Sequence, residues 1–237
     1  MDVSIPMALV DFVPVIFFAI AAIILQKDLY HLMPKGSYAL MACGQIDIIA
    51  AGALKALYKL LYAAGICDFA VLNSLFFPLQ TLGFMFAGFG IGGFISYRTR
   101  MLKRGMQDML GHKIGDIYTN VSSDLIIKSS AVAPILIAAA VAPPYFSGTI
   151  IFVVIMCMGM AMVCLGLSYY AFAVNKKGAT VLFVFAFICS LGMGYLSSQD
   201  FSVAYMNWIA ELTNVAGQAF LLAGTLMIHR VVKENAE

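Results

Sequence analysis

Between Met206 and His229 the sequence MNWIAELTNVAGQAFLLAGTLMIH places Glu211, Asn214 and Gln218 at i, i+3 and i+7. On a helix that spacing lines one face, so a polar stripe with one ionisable group runs down a segment that otherwise suits lipid or packed protein. A carboxylate facing acyl chains costs at least about 2.5 kcal/mol. The stripe must turn inward, towards a partner, water or a ligand. The natural partners are the cations of ALKALYKLLYAAG, where Lys55 and Lys59 are interleaved with Tyr58 and Tyr62.

Counted from the segment ends at about 1.5 Å per residue, Lys55 lies about 12 Å deep and Glu211 about 8 Å deep. The expectation is a Lys55–Glu211 pair inside a bundle, with Lys59 snorkelling outward to the headgroups. Asn73 and Gln80, seven residues apart and so on one face, add amides to the same half, and Tyr58 and Tyr62 would line its mouth. Pro78 removes a helix hydrogen bond between those amides, and broken backbone at membrane depth is tolerated where protein or a cavity covers it. Asp11 also falls in this half, whereas Gln45 and Asp47 occupy the other half of their segment. Asp47 is either a second station on a proton path or a locally bonded group.

Other chemistry is weaker. Gly88 and Gly92 form GxxxG, a helix-packing spacing, and with no strand before it and no Lys-Ser/Thr after it this is not a nucleotide loop. Cys157, Met160 and Cys164 share a face and would suit Cu(I), but Met is an ordinary filler of membrane cores. The five cysteines contain no CxxC and read as small core residues. HExxH, GxSxG and a Cys-His pair in register are missing, so no catalytic residue, metal or cofactor is assigned and a non-enzymatic role is favoured. His31, His112 and His229 all map to segment ends.

The elements that must position these groups follow from composition. With 62% hydrophobic and 11% charged residues and a mean hydropathy of +0.95, the chain is far from the quarter-charged soluble average. It is expected to be a single all-α integral membrane domain over 1–237. Seven apolar segments can be drawn, at 7–25, 38–63, 69–97, 124–142, 148–174, 179–198 and 206–229. The fourth ends before Pro143-Pro144, with Ser122 and Ser123 as caps and Lys128 placed to snorkel. MDVSIPM lacks the basic n-region of a cleavable signal and is expected to be the outer end of the first span. Twelve of the fourteen Lys and Arg residues fall on one side of the seven spans, which predicts an external N-terminus, a cytoplasmic C-terminus and residence in the plasma (inner) membrane.

The basic loop at 98–123, with Leu102, Met106, Met109 and Leu110 among its cations, is expected to be an amphipathic helix on anionic lipid. Arg98–Lys113 is the alternative docking site for a cytoplasmic protein. Seven spans with an external N-terminus is also the topology of retinal proteins and heptahelical receptors. No lysine between Met206 and His229 offers a Schiff base, and ISYRTR stands where a receptor would carry D-R-Y, so neither resemblance holds.

Three functions remain. The first is binding or transport of a small polar or amphiphilic solute, with Lys55, Tyr58, Tyr62, Asn73, Gln80, Glu211, Asn214 and Gln218 as ligand-binding residues. The second is a sensor or receptor subunit signalling through the 98–123 loop. The third is an intramembrane lipid-modifying enzyme using Asp47 or Glu211. Membrane lipid and a small molecule are the expected partners, and nucleic acid is not.

Overall fold

In the computed structural model the described residues are 4–108, 149–196 and 204–234, and among them the only regular structure is helix. The elements are α1 (Ile5–Val10), α2 (Phe12–Leu29), α3 (Lys35–Ala63), α4 (Ala70–Ser74), α5 (Phe76–Asp108), α6 (Thr149–Ala173), α7 (Lys177–Leu196) and α8 (Ala204–Glu234). Six stretches are long and apolar enough to span a membrane: Ile5–Leu29, Lys35–Ala63, Val71–Leu102, Ile151–Ala173, Lys177–Leu196 and Tyr205–Arg230. They match six of the seven expected segments closely. The expected 124–142 segment, with Ser122, Ser123, Lys128 and the Pro143-Pro144 break, lies outside the described residues, as does the part of the basic loop from 109 onward. The first part of that loop is not a separate interfacial element. Residues 98–108 continue α5, because nothing in ISYRTRMLKRGMQD before Gly105 interrupts a helix already under way.

Two spans are broken near the same end of the bundle, each three residues before a proline. Pro14 cannot donate to the carbonyl of Val10, and the first span breaks at Asp11; Pro78 cannot donate to Ser74, and the third breaks at Leu75. Two further ends are closed by left-handed residues. Gly65 (φ 67) and Asn175 (φ 60) end α3 and α6, with Ile66 N–H donating to Leu61 and Lys176 N–H donating to Ala171 across each Schellman turn.

The helices pack as a ring in the order α2, α3, α5, α6, α7, α8 and back to α2. Adjacent helices alternate in direction except at two seams. Thr81 Oγ1 donates to the Phe152 carbonyl, Gly88 lies against Gly159, and Phe94 meets Tyr170 edge to face, so α5 and α6 run parallel. Lys59 joins Asp11 to Glu211, and His229 meets Asp28, so α2 and α8 run parallel as well. The end of α5 and the start of α6 therefore lie at opposite ends of the bundle.

What faces in and out follows the membrane pattern rather than the aqueous one. On α2, Pro14, Phe18, Ala21, Ala22 and Leu25 are buried, whereas Ile16, Ile20 and Ile23 are exposed. Large branched residues cover the outside and small ones permit close approach inside. A Cβ on Gly44 would come within 2.4 Å of the Ala87 nitrogen, and one on Gly90 within 2.6 Å of the Met41 nitrogen. Both glycines are required by the α3–α5 contact, and Gly88 takes the packing role expected of GxxxG on the α5–α6 side.

Candidate functional site

The half of the bundle that contains both helix breaks also contains a cluster of buried charges. Lys59 Nζ lies 2.8 Å from Glu211 Oε1 and 2.6 Å from Asp11 Oδ2, and all three residues are buried. Lys59 comes from the last turns of α3, Glu211 from the first turns of α8, and Asp11 from the break that Pro14 creates. One ammonium thus ties three spans together. In a medium of low polarity, the Lys59 ammonium offsets part of the desolvation both carboxylates incur.

This corrects the expected pairing. Lys59, expected to snorkel to the headgroups, is the residue that meets Glu211, and Lys55 is one turn deeper. Lys55 Nζ instead sits 3.9 Å from the centre of the Phe76 ring, a cation–π contact. Among the described residues no carboxylate lies within ion-pairing distance of it.

Beside these charges is a cavity of about 350 Å³, within the ordinary range for small-molecule sites. It is lined by the polar residues Lys55, Lys59, Asn73, Gln80, Ser190, Asn207, Glu211, Asn214 and Gln218 and by the apolar residues Phe76, Phe77, Phe84, Val153, Met156, Cys157, Met160, Met193 and Ala210. A smaller space of about 70 Å³ adjoins it towards Asp11, Pro14 and Val15, sharing Lys55, Gln80, Glu211, Asn214 and Gln218 with the larger one. Among the described residues three acceptor atoms of this wall are buried without a hydrogen-bond partner: Glu211 Oε2, Gln80 Oε1 and Gln218 Oε1. A buried acceptor left unpaired costs on the order of 1–3 kcal/mol. Three in one wall mark a surface shaped for donors.

Six of the eight residues proposed as ligand-binding, Lys55, Asn73, Gln80, Glu211, Asn214 and Gln218, line this cavity. Tyr58 and Tyr62 do not. They pair with each other at 6.1 Å on α3, and Tyr62 is exposed. Asp47 is half-buried and lines none of these spaces. Of the candidate soft ligands, Cys157 and Met160 are in the apolar wall, whereas Cys164 is fully buried in the core.

Sequence reasoning missed the role of Asp11 and the apolar wall. The signal for Lys59 was present. Counted from Ala63 it is about 6 Å deep, nearer than Lys55 to the depth of Glu211. It also missed the polar cluster at the other end, where His229 Nδ1 lies 2.8 Å from the buried Asp28 Oδ1, Gln26 Nε2 donates to Gln45 Oε1 at 2.9 Å, and the Arg98 guanidinium stands 4.8 Å over the Tyr170 ring.

Between the two ends the bundle is packed around Phe18, Ala22, Leu25, Met41, Phe84, Ala87, Ile91 and Leu221, leaving a gap of about 10 Å³ there, too small for more than a single water. The cavity is thus confined to one half. Neither a protein family, nor a curated protein, nor a solved structure matches the chain.

Proposed function

We propose that the protein is a seven-span plasma-membrane protein, N-terminus outside and C-terminus cytoplasmic, that binds or transports a small polar or amphiphilic solute through the cavity in its outer half. The observation that carries this reading is the convergence, from three spans, of Lys55, Lys59, Asp11 and Glu211 around a cavity and its adjoining space, with three unpaired acceptors among the described lining residues. Polar groups this dense at membrane depth are expensive and belong to solute or ion paths more often than to structural cores. The parallel α5–α6 seam supports the seventh crossing, since the chain leaves α5 at one end of the bundle and enters α6 at the other. The basic residues at Lys27, Lys35, Lys176, Lys177 and Arg230 support the orientation, because all belong to the end away from the cavity.

The test is flux. Protein reconstituted into liposomes is expected to give solute-dependent currents on a solid-supported membrane when small polar and amphiphilic solutes are applied. Glu211→Gln should abolish the response while size-exclusion profile and helical content stay unchanged. A response unaffected by Glu211→Gln removes Glu211 from the site.

The sensor reading is supported by one feature. Helix α5 bears Gln80 in the cavity and runs on without a break to Asp108 in the basic stretch, so a change at the cavity would move that stretch as a rigid body. Co-purification of a cytoplasmic protein that is lost when Arg98, Arg100, Lys103 and Arg104 are replaced, together with no flux, would decide for sensing.

A further inference from the structure

We infer that the cavity is built for a zwitterionic α-amino acid with an apolar side chain. The inference rests on the reading of the cavity as a solute site and names the class of solute. Its first support is the division of charge. Lys59 is already held by two carboxylates, and in that cluster the second oxygen of Glu211, Oε2, takes no hydrogen bond from Lys59. Lys55, four residues earlier and on the same face of α3, is a cation that stacks on the Phe76 ring and has no ion-pair partner among the described residues. The cavity thus offers a spare acceptor on an acidic cluster and a spare ammonium one turn away.

The second support is the count of donors and acceptors. An α-ammonium group has three N–H donors, and Glu211 Oε2, Gln80 Oε1 and Gln218 Oε1 are three buried acceptors in one wall. An α-carboxylate would take the Lys55 ammonium as its charged donor, a contact stronger than a neutral hydrogen bond and stronger still away from water. The third support is the apolar part of the lining. Phe84, Val153, Met156, Met160 and Met193 present rings, a branched aliphatic chain and pliable thioethers, which accommodate apolar side chains of differing shape. A cation alone would leave Lys55 unpaired, an anion alone would leave the three acceptors unpaired, and a polar side chain would meet no partner on the apolar wall.

Cys157, in that wall, gives the test. The full-length protein in lipid nanodiscs is treated with N-ethylmaleimide, and labelling of Cys157 is followed by peptide mass spectrometry. The additions are L-leucine, 4-methylpentanoate, which lacks the ammonium group, 3-methylbutylamine, which lacks the carboxylate, and glycine, which lacks the apolar side chain. Leucine is expected to protect Cys157 at a concentration at least about tenfold below that needed of each of the other three, the size of one lost charged hydrogen bond for the acid and the amine and of the lost apolar burial for glycine. Lys55→Met should remove the advantage of leucine over the amine, and Lys55→Arg should keep it.

Protection by the acid or the amine equal to that by leucine overturns the zwitterion and leaves a solute cavity. Labelling of Cys157 that no addition slows does the same. If Cys157 is labelled in denaturing detergent but not in nanodiscs, the cavity is closed to solutes, and both this inference and the reading beneath it fail.

Discussion

The two seams where parallel helices meet, α5 with α6 and α2 with α8, close the same ring by opposite means. Along α5–α6 the backbones touch. A Cβ on Gly88 would lie 2.9 Å from the Gly159 carbonyl, one on Gly159 would lie 2.6 Å from the backbone of Phe84, and one on Gly166 would lie 2.4 Å from Ile91 Cγ2. Contacts of that kind are short-ranged and tolerate no sliding. Along α2–α8 no described glycine makes such an approach, because the glycines of α8 serve its other neighbour: Gly217 faces Cys189 and Gly224 faces Phe183, both on α7. The α2–α8 seam is tied instead at its ends, by Asp11 and Glu211 through Lys59 and by Asp28 with His229. These ties are about 25 Å apart along the first span at 1.5 Å per residue. A glycine seam holds one geometry; a seam of polar ties can be opened wherever a ligand or water offers the same groups a substitute. The cavity touches both kinds, with Phe84 and Met160 at the glycine seam and Lys59 and Glu211 at the polar one, and the smaller space beside it reaches α2 through Asp11 and Pro14.

The most severe way to break this contrast is Lys59→Met. It leaves Asp11 and Glu211 buried and facing each other without their cation, a loss expected at about 3–5 kcal/mol and read as a fall in the unfolding midpoint of the purified protein. Adding Asp11→Asn and Glu211→Gln to the same chain removes the uncompensated charges and should restore most of the loss. A triple variant as unstable as the single one would mean that Lys59 acts through its packing rather than its charge.

Gly159→Val should come next, at about 1–3 kcal/mol for forcing the α5–α6 backbones apart. The control is Gly192→Ala on α7, where the nearest atom to an added Cβ, Thr213 Cγ2, is an ordinary 3.7 Å away; it should leave the midpoint unchanged. Equal effects of the two substitutions would remove the claim that the α5–α6 seam is held by close approach.

Much of this organisation was legible in the sequence, for physical reasons particular to membranes. Six of the seven spans drawn from the sequence recur among the described helices because lipid demands about 20 apolar residues in a row, and the inward turn of Glu211, Asn214 and Gln218 followed from helical periodicity alone. Which lysine Glu211 would meet was not legible from charge, since Lys55 and Lys59 share a face; depth separates them, and depth depends on where each span begins to within a turn. Asp11 was visible only as a carboxylate near a span end, because its entry into the cluster needs the break made by Pro14 and the adjacency of α2 to α8, and adjacency is tertiary. The failure with Tyr58 and Tyr62 has the same origin: being near Lys55 in sequence does not place a side chain on the cavity side of α3. Asp28 and His229 were both within reach of a reading that paired the ends of the first and last spans, but nothing local to either residue names the other.

The smallest expected effect on stability is also the sharpest test of the contrast. Asp28→Asn keeps a hydrogen-bonding group against His229 Nδ1, so its cost should be near the average for polar contacts between membrane helices, about 0.6 kcal/mol, and a fall several times larger would make this tie a structural pillar rather than a latch. The position can then be locked. With Asp28 and His229 both replaced by cysteine in a chain whose five native cysteines are alanine, a short bismaleimide should bridge the α2–α8 seam at the end away from the cavity. The same reagent on a Thr81→Cys, Phe152→Cys chain should bridge the α5–α6 seam. If the α2–α8 seam is the one that opens, the first bridge stops solute-dependent current in liposomes and the second leaves it intact, because the glycine seam does not move in either state. Loss of current from both bridges would mean that the ring opens at neither seam in preference, and that the difference between glycine contacts and polar ties stabilises the bundle without choosing how it moves.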